Sequence, residues 1–161
     1  MKTLVIPAIM LVMLNACSER KSVNINQTKK TTIMEKQDTQ QIERLLTEYK
    51  HSLNSSDAAL ARSLYAKDGV FMPTGAPSAI GSENILKSYE FIFSQIQLQI
   101  EFYIDEIVVD ETFAFATTSS KGTSLIHANG QTVPEENREL FVFEKIDGVW
   151  KIARYMFNKT K

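Results

Sequence analysis

Ile42, Leu45, Leu46, Tyr49 and Leu53 recur at helical spacing within a polar stretch and form one apolar stripe. Asp38, three residues before Gln41, has the arrangement of a capping box and puts the helix start there. Asn54, Ser55 and Ser56 stop the helix. Asp57 can cap a second, short helix through Leu60, Ala61, Leu64 and Tyr65. Lys67-Asp68-Gly69 reads as a turn, and 70–72 as a short strand ended by Pro73. Gly81 and Ser82 open a third helix with Ile85, Leu86, Tyr89 and Phe93 on its apolar side. From residue 97 the period changes to two. Leu98, Ile100, Phe102 and Ile104 alternate with polar neighbours along a half-buried strand. Asp110-Glu111 turns the chain and 112–126 returns, its small residues Ala114, Ala116, Thr117 and Ser119 leaving room on a face. After a loop at 127–130, residues 137–145 and 149–158 form a last hairpin about Asp147-Gly148. The expected class is α+β, with three N-terminal helices on one face of an antiparallel sheet.

The first residues follow a different pattern. Met1 and Lys2 precede an apolar run, 3–16, broken only by Pro7 and Asn15. A spanning helix needs about 20 residues, so the run has the layout of a secretory signal instead. Leu14-Asn15-Ala16-Cys17 resembles a bacterial lipobox. That resemblance implies that Cys17 is lipidated and becomes the first residue of the mature chain. Ser18 resembles the pattern sorted to the outer membrane, so the expected location is the cell envelope, on the periplasmic side of that membrane. The chain then divides into a signal peptide (1–16), the lipidated Cys with a polar tether (17–37), and a pocket domain (38–161). The tether's Arg20, Lys21, Lys29, Lys30 and Lys36 either touch anionic headgroups or stay solvated.

Composition narrows the chemistry. Apolar residues are 43 % and charged residues 23 % of the 161, an ordinary globular balance. The net charge of −1 provides no strong field toward nucleic acid, and no nucleic-acid partner is expected. One Cys and two His exclude an internal disulfide and Cys- or His-rich metal sites, so no metal is expected. No Gly-rich nucleotide loop occurs, and no cofactor is expected.

Four strings carry a resemblance to a known family. They are the run from Asp57 to Asp68, the run from Pro73 to Gly81, Arg138-Glu139-Leu140-Phe141, and the run from Trp150 to Asn158. In order and spacing they resemble the SnoaL-like branch of the nuclear transport factor 2-like superfamily, and within it the SgcJ/EcaC family. The resemblance covers about residues 38 to 158. It implies a cone-shaped, cystatin-like roll, with a curved sheet wrapped around the helices and a pocket at the wide end. It also implies frequent homodimers. The family hosts isomerases, dehydratases, cyclases and binding modules, so the fold does not decide function.

If Phe143 faces Ile152 in the last hairpin, Phe141 lies opposite Arg154 and Glu139 opposite Met156. Asn137, Glu139, Phe141, Arg154, Met156 and Asn158 then share the helix-facing side. Arg154 has the fork for a carboxylate or enolate oxygen, and Glu139 in an apolar wall can act as acid or base. The alternative is a buried ion pair that satisfies only itself. Met72 and Phe102 are expected to line core or pocket. The opposite face, with Leu140, Val142, Tyr155 and Phe157, is expected to form a homodimer interface.

Ketosteroid isomerase relatives use a Tyr on the first helix as an oxyanion donor, and Tyr49 falls at that place. Their base Asp falls on Pro73, which transfers no proton. Their acidic oxyanion partner falls near Phe141, two residues from Glu139. Three functional expectations follow, the first a lipid-anchored module binding a small, mostly apolar ligand and the second a cofactor-independent acid–base enzyme. A dimeric envelope scaffold is the third.

Overall fold

The computed structural model describes residues 25–160. The first helix, α1 (Ile25–Asn54), buries the expected stripe of Ile42, Leu45, Leu46, Tyr49 and Leu53. It begins thirteen residues before Asp38, within the stretch expected to be a polar tether. Asp38 is therefore not its cap. It stands four residues before Ile42, on the same stripe, and so faces the sheet. There it is buried and its Oδ1 accepts from Lys145 Nζ (2.5 Å) and Trp150 Nε1 (3.0 Å). Residues 33–37 are exposed.

Asp57 caps α2 (Ala58–Ser63) by accepting from the Leu60 amide at 2.8 Å. The helix is shorter than its pattern predicts. Tyr65 instead opens strand β1 (Tyr65–Met72), and the expected turn at Lys67-Asp68-Gly69 lies in an irregular section of that strand. Strand β2 (Ala79–Ile80) follows, and Gly81, at φ 79°, leads into α3 (Ser82–Gln95). Gly accepts that backbone angle without a Cβ clash. Ile85, Tyr89 and Phe93 are the buried side of α3.

Four long strands complete the chain: β3 (Ile96–Asp110), β4 (Phe113–Ile126), β5 (Gln131–Ile146) and β6 (Val149–Lys159). The sheet order is β2-β1-β6-β5-β4-β3, curved and unclosed. β3 to β6 form an antiparallel meander, whereas β1 joins β6 in parallel. The helices and the inner sheet face share one core, with Phe141, Phe143, Ile152 and Trp150 among its buried side chains.

Two irregularities change which side chains face inward. In β3 the register shifts between Ile104 and Glu106, so Ile104 is exposed and Ile107 and Val109 take the inward phase. In β6, Phe143 pairs with Ile152 as expected, but Val142 then pairs with Arg154, leaving Ala153 as an extra residue. Beyond that bulge every β6 residue is turned over relative to the regular register. Phe141 therefore meets Tyr155, Glu139 meets Phe157, and Asn137 meets Lys159.

Candidate functional site

A cavity of about 750 Å³ lies between the inner sheet face and the helices. Leu53 of α1, Ile92 of α3, and Ile96, Leu98 and Ile100 of β3 form much of its apolar wall. The segment from Pro73 to Ala79 contributes another side, and Thr74 ties that segment to β6 by donating to the Phe157 carbonyl at 2.6 Å.

The opposite wall is polar because alternate residues of two paired strands point inward. β5 contributes Glu135, Asn137 and Glu139; β4 contributes Ser120 and Ser124; β6 contributes Lys159. Thr118, buried beside them, donates to Glu139 Oε2 at 2.5 Å, and Ser120 hydrogen-bonds the same carboxyl. Burial pushes the Glu139 carboxyl above its ordinary value. The hydrogen bonds from Ser120 and Thr118 offset part of that rise, and the charge of Asp105 adds to it. Asn137 Nδ2 donates to Ser120 Oγ (3.2 Å) and Glu135 Oε1 (3.3 Å). Lys159 Nζ pairs with Glu135 Oε2 at 3.0 Å. Asn137 Oδ1 is buried and has no hydrogen-bond partner among the described residues, a state that costs about 1–3 kcal/mol.

Tyrosine hydroxyls gather at the cavity. Tyr49 and Tyr89 are 2.5 Å apart through their hydroxyls, and Tyr65 and Tyr89 are 2.8 Å apart. Tyr155 hydrogen-bonds Tyr49 and feels the Glu139 charge. Burial holds all four phenols well above their ordinary 10.0, which keeps them neutral. Tyr49, Tyr89 and Tyr155 line the cavity. The rings also stack, with Phe141 against Tyr155 at 4.2 Å between centroids.

Of the residues expected at the pocket, Tyr49, Glu139 and Asn137 line it. Arg154 does not. The bulge at Ala153 turns it to the outer face, where it is exposed and Nη1 donates to the Ala153 and Asp68 carbonyls. It therefore forms no pair with Glu139 across an inner face. Met156 and Asn158 are turned outward by the same shift. Met72 pairs with Met156 in the parallel register and lies outside the cavity lining. Phe141 is fully buried and Phe102 packs on Tyr49 and Phe141, so both serve the core and neither forms part of the wall. Tyr155 and Phe157, expected on the outer face, line the cavity. Cys17 lies outside the described residues.

Sequence reasoning missed Tyr89 and Tyr155 as site residues, and with them Glu135, Ser120 and Lys159. One signal was readable. Polar Glu135, Asn137 and Glu139 take alternate places before the alternate apolar Phe141 and Phe143, which marks a wall changing from polar to apolar along a single strand.

A curved sheet with helices across one face and a cavity between the layers defines the nuclear transport factor 2-like class. Residues 42–157 match the SnoaL-like domain family, and the chain belongs to it. A ketosteroid isomerase-like protein from Erwinia carotovora atroseptica is 30% identical, with a TM-score of 0.72 over 74% of this chain and 94% of that one. A nuclear transport factor 2-like superfamily protein from Salmonella enterica serovar Typhimurium is 22% identical, with a TM-score of 0.68 over 76% and 90% of the two chains. A hexachlorocyclohexane dehydrochlorinase is 13% identical, with a TM-score of 0.68 over 77% and 86%, a likeness of fold alone. No curated protein matches the sequence.

Proposed function

We propose that this domain binds a small, mostly apolar molecule in the cone cavity, with one polar group of the ligand set against the β4–β5 wall. The observation that supports this most is the cavity itself: about 750 Å³, apolar on most sides, with polar side chains converging on one wall. We place the chain in the SgcJ/EcaC branch on its strings at 57–68 and 73–81, and read it as anchored in the bacterial envelope through Cys17. Its second copy would dock on the outer sheet face.

A second reading is favoured by one observation. Glu139 is a carboxyl with a raised pKa at the cavity wall, with neutral Tyr49 and Tyr155 nearby. A buried carboxyl whose pKa is raised can take or return a proton, and a neutral phenol can donate to a developing oxyanion. In this reading the domain is a cofactor-independent acid–base enzyme of isomerase or dehydratase type. The likeness to the ketosteroid isomerase-like protein supports the possibility of such chemistry. Pro73 at the place of the usual base makes Glu139 the group that would act instead.

One preparation tests the anchored binding module. The full chain is expected in the membrane fraction, and Cys17→Ser in the soluble fraction. Native mass spectrometry of that soluble form is expected to show a bound small molecule, released when the protein is denatured. Unchanged fractionation would remove the anchor. A bare mass, with no saturable uptake of added apolar probes, would remove the binding function.

A further inference from the structure

Residues 73–78, between β1 and β2, have no regular structure and form one side of the cavity. The local sequence explains the break. The parallel ladder of β1 on β6 ends at Met72 opposite Met156. Pro73 follows, and without an N–H it cannot extend a ladder. The carbonyl of Phe157, the next residue of β6, accepts from the Thr74 hydroxyl instead, at 2.6 Å. Among the described residues this is the one side-chain hydrogen bond that ties 73–78 to the rest of the chain. At its far end the segment enters β2, which is held to β1 by two pairs, Val70 with Ile80 and Phe71 with Ala79. Between these two ends residues 74–78 are exposed. Gly75 bends the backbone there at φ 72°, with nothing within 4 Å of an added Cβ. On the cavity side the segment presents small, mainly apolar groups, among them Pro73, Ala76 and Pro77.

Building on the cavity as a ligand site, we infer that 73–78 is its gate: a strap rooted in β1 and β2 and latched to β6 by Thr74, which opens to admit the ligand and closes over it. The holds on the two parts differ in kind. The roots are backbone ladder pairs, whereas the span is held by a single exposed hydroxyl–carbonyl bond. Water replaces such a bond when it breaks, so opening strands no buried polar group. A segment with exposed residues and few buried contacts belongs to the low end of local stability. The other walls are α1, α3 and the β3–β6 meander, which are packed into the core. The latch also sits at the cavity itself. Phe157, whose carbonyl receives it, lines the cavity and stacks on Phe71 and Tyr155.

Stopped-flow uptake of the apolar fluorescent probe N-phenyl-1-naphthylamine by the full chain carrying Cys17→Ser makes the test. With a gate that is closed most of the time, entry and exit both scale with its open fraction. Thr74→Val removes the latch bond and keeps the size of the side chain. Both rates are therefore expected to rise together, by about fivefold, the loss of one ordinary hydrogen bond. Their ratio is expected to move by less than about twofold. Thr74→Ser restores a hydroxyl and is expected to bring both rates back toward those of the parent. A rise in the exit rate alone would make Thr74 a wall contact and overturn the gate. Unchanged rates in Thr74→Val would place the entry elsewhere, and a Thr74→Ser chain as fast as Thr74→Val would overturn the latch. In these three cases the cavity remains a ligand site. If the probe does not bind the parent chain at all, the ligand-binding reading falls together with the inference.

Discussion

Glu139 contributes to stability with a sign opposite to that of a salt-bridged carboxylate. Its folded pKa lies above the ordinary 4.5, chiefly because burial penalises the charged form. Below 4.5 both folded and unfolded chains hold the proton, and the contribution is fully present. Between that value and the raised one the folded chain binds more protons, so stability falls as pH rises through the window. Glu139→Gln removes the titration while keeping an acceptor for Thr118 and Ser120. The expected outcome is that urea midpoints of the natural protein decline relative to Glu139→Gln as pH rises above 4.5. Parallel midpoint curves would contradict a buried, titrating Glu139. Residue type and alternation pointed to Glu139 and Tyr49 from the sequence. The tyrosine cluster was not readable there, because its four hydroxyls come from α1, β1, α3 and β6, and only packing brings them together.

Two register shifts and one close backbone approach set how the strands present their side chains. The extra residue Ala153 turns Tyr155 and Phe157 inward and Arg154 outward. The shift after Ile104 reverses the phase at the end of β3. Gly122 of β4 sits opposite Ile100, where the backbones approach so closely that an added Cβ would lie 2.0 Å from the Gln99 carbonyl oxygen. Backbone is what would have to move, so the clash has no cheap relief. Gly122→Ala is expected to lose about 2 kcal/mol or more of unfolding free energy, from the overpacking it forces. Because Gly122 lies between Ser120 and Ser124 along β4, the variant should also weaken ligand uptake. Urea unfolding checks the first effect, and a stability within about 0.5 kcal/mol of the parent would contradict it. The lengths and order of the strands were legible in the sequence as period-two runs between turn residues. The bulges were not, since an added residue in a strand leaves its composition unchanged.

For the molecule as a whole, the outer sheet face is the surface to explain. Val108, Phe115 and Val142 lie side by side across β3, β4 and β5, and Leu140, Met156 and Met72 across β5, β6 and β1. Val108, Phe115, Leu140 and Met156 are each at least 36% exposed. We propose that this face, with Leu140 and Val142 at its middle, packs against a second copy of the chain. Sedimentation of the full chain is then expected to show a dimer, and the double variant Leu140→Lys, Met156→Lys a monomer. Both changes lie outside the cavity lining, so the monomer should retain ligand uptake. A natural protein that sediments as a monomer at micromolar concentration would end this proposal.

Local sequence signals determined the α+β class, the buried stripe of α1, the capped start of α2, the inner side of α3 and the hairpin at Asp147-Gly148. Each follows from a local rule: which side chains recur on one face, and which residues tolerate a cap or turn. Tertiary structure decided the rest. Asp38 became a buried acceptor for Lys145 and Trp150 because a helix that begins thirteen residues earlier leaves no end there to cap. Arg154 left the cavity because one bulge reverses every face beyond it. The unpaired oxygen of Asn137 depends on hydrogen bonds shared among three strands, and such a count is decided only when those strands meet.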